Sequence, residues 1–192
     1  MLWVYDDFAA FRASMRQCRD SGVAMRETSD TASRPSPDRT LGAYGAFTYL
    51  YMNSPHHRRV SVDVMRAQLR PPVERNFYWI VNDQDGVPRA GLTWALLSDE
   101  VEARMRAGQL LAPEEWASGR NLWIMEFLAP FGQGSGLSVL RWLRDTAPGG
   151  MDRLRYNRFK PQNDRVRVVE IRRRGHGRFG AKLLESYQLS GE

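Results

Sequence analysis

Phe77-Tyr78-Trp79-Ile80-Val81 leads through Asn82 into Asp83-Gln84-Asp85-Gly86, and Arg89-Ala90-Gly91-Leu92-Thr93-Trp94-Ala95-Leu96 follows two residues later. The first run is wholly aromatic or β-branched, the composition of a half-buried strand. The Asp-Gln-Asp-Gly stretch supplies turn residues, and Arg89 to Leu96 reads as the antiparallel return. An early hairpin of this kind calls for a sheet with at least one antiparallel pair.

Moving outward from the hairpin, Asp99 to Ala107 reads as a helix and Leu122 to Leu128 as a third apolar strand. Leu137 to Arg144 reads as a helix, Arg153 to Arg158 and Val166 to Ile171 as strands, Gly175 to Gly180 as a loop, and Ala181 to Gln188 as a terminal helix. On the other side, Leu41 to Met52 forms a short helix that ends before Asn53-Ser54-Pro55. Ser54 then fits an N-cap and Pro55 a first helical residue, opening a helix to about Leu69 that Arg70-Pro71-Pro72 stops. Strands mixed with helices predict an α/β chain, a single domain with a mixed central sheet flanked by helices. Periodicity leaves the strand order open.

Val4, Phe8, Phe11, Met15 and Cys18 recur at helical spacing, whereas Glu27 to Arg39 is polar and twice interrupted by proline. The expected division is an N-terminal extension and flexible linker over residues 1–40 and a folded domain over 41–192. Hydrophobic residues are 42% and charged residues 26% of the 192, proportions that suit a packed core and not a disordered chain. No run reaches the roughly 20 apolar residues of a membrane span. Asp6 and Asp7 stand where a secretory signal is basic, so the expected address is cytoplasmic. A lone Cys18 makes no internal disulfide, and three histidines make a zinc site unexpected, so no metal is called for. The formal charge of +6 is carried almost wholly by arginine, since Lys160 and Lys182 are the only lysines. An acidic partner fits that balance, and so does a basic surface that is simply solvated. Nucleic acid does not, because no helix-turn-helix, zinc-finger or RNA-recognition pattern is present.

Two segments can carry chemistry. In Asn53-Ser54-Pro55-His56-His57-Arg58, a helix start at Ser54 puts His57 one turn in, where a neutral imidazole is favoured as base or nucleophile. The alternative is a pair of solvated loop histidines. In Trp123-Ile124-Met125-Glu126-Phe127-Leu128, Glu126 interrupts an apolar strand, and a buried carboxylate must find a partner or neutralise. A histidine is one such partner; solvent or an arginine is another. Tyr78, Trp79, Trp94, Trp116 and Phe127 line a pocket for an apolar ligand or are plain core. Gly132-Gln133-Gly134-Ser135-Gly136 hints at an anion-binding loop without matching the phosphate-binding signature.

Four segments, in order, resemble the toxin-activating lysine acyltransferases, the enzymes that acylate RTX protoxins. The family's Asn-Ser-Pro-x-His-Arg appears as Asn53-Ser54-Pro55-His56-His57-Arg58, and its Ser-Trp-Ala-x-Leu-Ser strand as Thr93-Trp94-Ala95-Leu96-Leu97-Ser98. Its Trp-x-Ser-Gly appears as Trp116-Ala117-Ser118-Gly119, ahead of the strand that ends Ala129-Pro130-Phe131-Gly132. The likeness spans roughly Leu41 to Arg173. It implies a GNAT-like fold, acyl carrier protein as thioester donor with no bound cofactor, and an internal lysine of a protoxin or other partner as acceptor. Either a monomer or a homodimer is compatible with it.

Ser54 and His57 fall on the family's catalytic serine and histidine, with His56 on a variable position. Glu126 stands where the family has aspartate, one methylene further out. Val60-Ser61 replace a common Trp-Pro, and the extension through Thr40 has no counterpart, which makes this a divergent member. An acidic carrier would be drawn by the basic surface, and a tail of about a dozen methylenes at roughly 0.8 kcal/mol each would anchor the donor. His57 is either the base for the lysine ammonium or the nucleophile that first takes the acyl group. The rival readings are an acyl-coenzyme A enzyme acting on a small amine, and an inactive relative that binds carrier or toxin.

Overall fold

The hairpin is the first of five pairings in one six-stranded sheet whose strands lie in chain order. The computed structural model describes residues 36–57, 59–131, 153–160, 165–174 and 178–188. Along the chain run α1 (Pro37–Asn53), α2 (Val62–Glu74), β1 (Tyr78–Asn82), β2 (Pro88–Leu97), α3 (Asp99–Arg106), a 3-10 turn (Pro113–Trp116), β3 (Asn121–Leu128), β4 (Arg153–Lys160), β5 (Arg165–Arg174) and β6 (Arg178–Gln188). β3 and β4 pair in parallel and every other neighbouring pair is antiparallel, so the sheet is mixed as expected. This layout is compatible with a GNAT-like sheet. The helix expected over Leu137 to Arg144 lies outside the described residues, as do the N-terminal stripe and residues 1–35 of the expected extension.

Three boundaries depart from the sequence reading. Helix α1 starts at Pro37, not Leu41, because Ser36 accepts from Arg39 N at 3.3 Å and so caps a proline-led first turn. Helix α2 starts at Val62 under a Ser61 cap, and it carries Pro71 and Pro72 inside its last turn instead of ending before them. A proline there forfeits mainly its own missing N–H, and the turn still closes because Pro72 O accepts from Arg75 N and Phe77 N. The third correction is larger: Ala181 to Gln188 is part of β6, not a helix. Its helix-forming Ala, Lys, Leu and Glu are overridden by pairing along β5, where Val169 opposes Leu183 and Val166 opposes Tyr187. Residues 178–180 of the expected loop join the same strand.

Alternation along β2 divides the core. Ala90 and Leu92, with Trp94 and Leu96 beside them, join Leu122, Ile124, Phe127, Leu154, Tyr156 and Ile171 on one face. Ala95 and Leu97 pack on the other face with Val101 of α3, Trp116, Trp123 and Met125. That second face also takes α1 and α2, through Phe47, Leu50, Tyr51, Leu69 and Val73 against Tyr78 and Leu128. Gly91 lets α1 come close, since a Cβ there would lie 2.8 Å from the Phe47 ring. In β3 the register slips: Thr93 opposes Glu126 but Trp94 opposes Ile124, which leaves Met125 without a partner in β2. This β-bulge puts Met125 and Glu126 in succession on the helix-bearing face.

Two of the quoted motifs tie to each other. Ser98 N donates to Ser118 Oγ at 3.0 Å, and Gly119 N donates to Leu96 O at 3.0 Å. A side chain at 119 would meet the Ser98 backbone at 2.4 Å, so only glycine fits. Trp116-Ala117-Ser118-Gly119 is a strap over the end of β2.

Candidate active site

Glu126 sits on β3 with 1% of its surface exposed, and a buried carboxylate has to be matched by neighbours that reach it. Two do. Tyr51, in the last turn of α1, donates from its hydroxyl to Glu126 Oε2 at 3.0 Å. His57 presents Nε2 to Oε1 at 3.1 Å. The approach lies off the N–H direction, so this contact is an ion pair or polar contact more than an aligned hydrogen bond. On the far side of the ring, Ser54 Oγ lies 2.6 Å from His57 Nδ1. Ser54 and His57 are themselves 1% and 5% exposed. The three residues singled out in the sequence therefore form one buried chain, Ser54–His57–Glu126, with the imidazole in the middle.

The reason for that placement differs from the expected one. Ser54 is the residue that ends α1, donating its N–H to Tyr51 O, and not the cap of a following helix. The segment after it turns twice, with His57 N donating to Ser54 O at 3.1 Å and Val60 N donating to His57 O at 2.9 Å. His57 consequently gains nothing from a helix N-terminus. Between the two neutral tautomers, Glu126 at Nε2 selects the one that carries its hydrogen there, which leaves the Nδ1 lone pair to accept from the Ser54 hydroxyl. His56 points outward and is exposed.

Tyr51 was not legible as part of this site. Its ring meets His57 edge-on, centroids 5.3 Å apart, and its hydroxyl also lies 2.9 Å from Gln68 Oε1 on α2. One hydroxyl hydrogen cannot serve both oxygens. With the Gln68 amide turned over, its NH₂ donates to Tyr51 and Tyr51 donates to Glu126, which satisfies all three groups. Burial, then the charge and hydrogen bond of Glu126, push the Tyr51 phenol far above its ordinary value, so it remains a donor. Thr93, opposite Glu126 on β2, is fully buried, and its hydroxyl has no hydrogen-bond partner among the described residues.

The aromatics do not form one wall. Trp79, Trp94 and Phe127 belong to the face away from His57, while Tyr78 and Trp116 lie on the helix-bearing face in separate clusters. Gly132 to Gly136 falls outside the described residues. Among the described residues no group of His, Cys, Asp and Glu is arranged to hold a metal ion, and no helix is long and apolar enough to cross a membrane.

Residues 37–173 match the model of the RTX toxin acyltransferase family, an interval that opens at the first residue of α1 and takes in the whole Ser54–His57–Glu126 chain. The chain belongs to the RTX toxin acyltransferase family. It is similar to the leukotoxin-activating lysine-acyltransferase LktC of a Pasteurella haemolytica-like species, 42% identical over 89 residues, or 46% of this chain and 53% of that relative. The protein-lysine palmitoyltransferase CyaC of Bordetella bronchiseptica is 30% identical over 151 residues, 78% of this chain and 80% of its own. The lysine-acyltransferase RtxC of Vibrio cholerae is 33% identical over 91 residues, 47% of this chain and 60% of its own. The chain thus spans about half the length of the leukotoxin-activating relatives it matches. Relatives in this family carry names of protein-lysine acyltransferases, and a hydroxyl, an imidazole and a carboxylate in series suit acyl transfer.

Proposed function

We propose that this protein is a protein-lysine acyltransferase that moves a fatty acyl group from acyl carrier protein to an internal lysine of a protoxin-type partner. The observation that carries the reading is the buried series Ser54–His57–Glu126 inside the segment matched to the family. The acceptor lysine arrives as an ammonium and must lose a proton before its nitrogen attacks the thioester carbonyl. His57 Nδ1 is the proton acceptor, reached through the Ser54 hydroxyl that occupies it, and Glu126 stabilises the imidazolium that results. The amide bond forms as the nitrogen gives up a second proton, the thioester carbon–sulfur bond breaks, that proton leaves on the carrier thiol, and the imidazolium releases its own to solvent. The donor is an acidic carrier protein attracted by the net charge of +6.

The test is to incubate the protein with long-chain acyl carrier protein and a lysine-bearing acceptor, and to follow intact masses at low and at raised salt. Acyl gain on the acceptor, slowed by salt, is the expected result. A lasting acyl adduct on Ser54 or His57 would reassign that residue from proton transfer to nucleophile. Transfer from acyl-coenzyme A to a small amine, with none from the carrier protein, would overturn the donor and acceptor. No transfer from either donor, with the carrier still bound, would leave an adaptor.

A further inference from the structure

We infer that Tyr51 is a positioning residue, holding the Glu126 carboxylate turned toward His57 Nε2, with Gln68 behind it completing the support. The inference rests on the acyl-transfer reading only for what the alignment serves; the alignment itself is a property of the folded chain.

The carboxylate reaches into a space where the described titratable neighbours are few. From α1 comes Tyr51, from the turn after it His57, from α2 the uncharged Gln68, and from β2 the uncharged Thr93. Glu126 Oε1 faces the imidazole off the N–H direction, so that contact alone does not fix the carboxylate's rotation. Oε2 is fixed by the phenol at 3.0 Å, and the phenol is fixed by Gln68 at 2.9 Å and by its edge-on ring contact with His57. Tyr51 is thus in contact with both members of the pair it aligns. A donor to the charged form of a buried carboxylate lowers the pH at which it takes up a proton. The phenol supplies that donor and, being held neutral by burial and by Glu126, never withdraws it. Gln68 and Tyr51 come from different helices, so the support also ties the α1 end that carries Ser54 to α2.

The experiment uses the full chain with carbon-13-labelled glutamate side chains. The carboxyl resonance of Glu126, identified by its absence in Glu126→Gln, is titrated in the wild type and in Tyr51→Phe, which keeps the ring and removes only the hydroxyl. The expected result is a higher midpoint in Tyr51→Phe, together with a kcat lowered about tenfold and an unchanged KM for the acyl donor. An unmoved midpoint overturns the inference whatever the activity. A raised midpoint with wild-type kcat overturns the positioning role. If the wild type transfers nothing while the midpoint still rises in Tyr51→Phe, the acyl-transfer reading fails and the Tyr51–Glu126 alignment stands. Should Tyr51→Phe not fold, Gln68→Met probes the same support one bond further out, and an unmoved midpoint there overturns it equally.

Discussion

Glu126 and Glu170 are both buried on this sheet, 1% and 4% exposed, yet they are matched by opposite means. Glu170, on β5, meets permanent cations: Arg155 Nε at 2.9 Å, Arg172 Nε at 3.0 Å, and Arg153 Nε at 4.0 Å. Burial pushes its carboxyl up, but the Arg155 hydrogen bond and charge, reinforced by Arg172 and Arg153, outweigh that and hold it below the usual range. The network extends through Arg155 and Arg106 to Glu102 of α3, and from Arg106 to Glu185 of β6, so it locks a helix to three strands. Glu126 instead meets a phenol and an imidazole, a cation only when protonated. A carboxylate ringed by arginine is spoken for. One paired with an imidazole can answer a proton arriving at the ring, which is why the proposed acyl transfer is assigned to that second place.

The sharpest way to break the contrast is at the imidazole. His57→Ala should lower acyl transfer by about 10²- to 10⁴-fold, the usual worth of a positioned base, while the outward-facing His56→Ala keeps most of it. Steady-state rates on protein of unchanged circular dichroism decide this, and equal losses in both variants would remove the single-histidine assignment. Next in size is the carboxylate. Glu126→Gln should cost about 10- to 100-fold in kcat, since the amide keeps the shape but no longer stabilises an imidazolium. Glu126→Asp should also lose activity, because the oxygens at 3.1 Å from His57 and 3.0 Å from Tyr51 are placed for the longer side chain. An aspartate variant faster than wild type would mean that the backbone keeps a spacing suited to the shorter side chain.

Glu170→Gln should leave kcat per folded molecule unchanged and destabilise the protein by about 1–3 kcal/mol through cations left short of charge. The sign of its pH dependence follows from a depressed folded-state value. The stabilisation is present above the unfolded glutamate pKa and fades as pH falls through the lower folded one. Denaturation curves of wild type and variant should therefore converge in acid; curves that stay parallel there would dismiss Glu170 as an ionised anchor. The smallest effect is Thr93→Val, which removes a buried hydroxyl with no described partner beside Glu126. Stability should hold within about 0.5 kcal/mol or rise slightly. A marked drop in kcat with intact stability would show that the hydroxyl serves the substrate.

Much of this arrangement could be read from the residues, and the failures have particular causes. The hairpin was legible because Tyr78 to Val81 and Ala90 to Leu96 carry strand residues around turn chemistry, and α3 because Ser98 offers a cap before three acidic residues in its first turn. Ser54, His57 and Glu126 stood out as a serine, a histidine and a lone carboxylate in apolar company, and the fold brings them together. The wrong cap came from two serines competing seven residues apart: Ser54-Pro55 has the stronger local signature, yet Ser61 opens the helix. β6 was missed because its residues favour helix until a neighbouring strand is supplied. Tyr51 was missed because a tyrosine on a helix facing the core looks like packing. Only the tertiary fold shows that its hydroxyl ends on a carboxylate 75 positions away.

The unpaired Met125 has a consequence for anyone who would move this site elsewhere. Counting in twos from Leu122 and Ile124 assigns Glu126 to their side of the sheet, away from His57. The extra residue cancels that count, and alternation becomes right again only when it is taken backwards from Leu128. A copy of the site grafted onto a regular strand must therefore be aligned from its far end. Every letter could otherwise match while the acid pointed the wrong way.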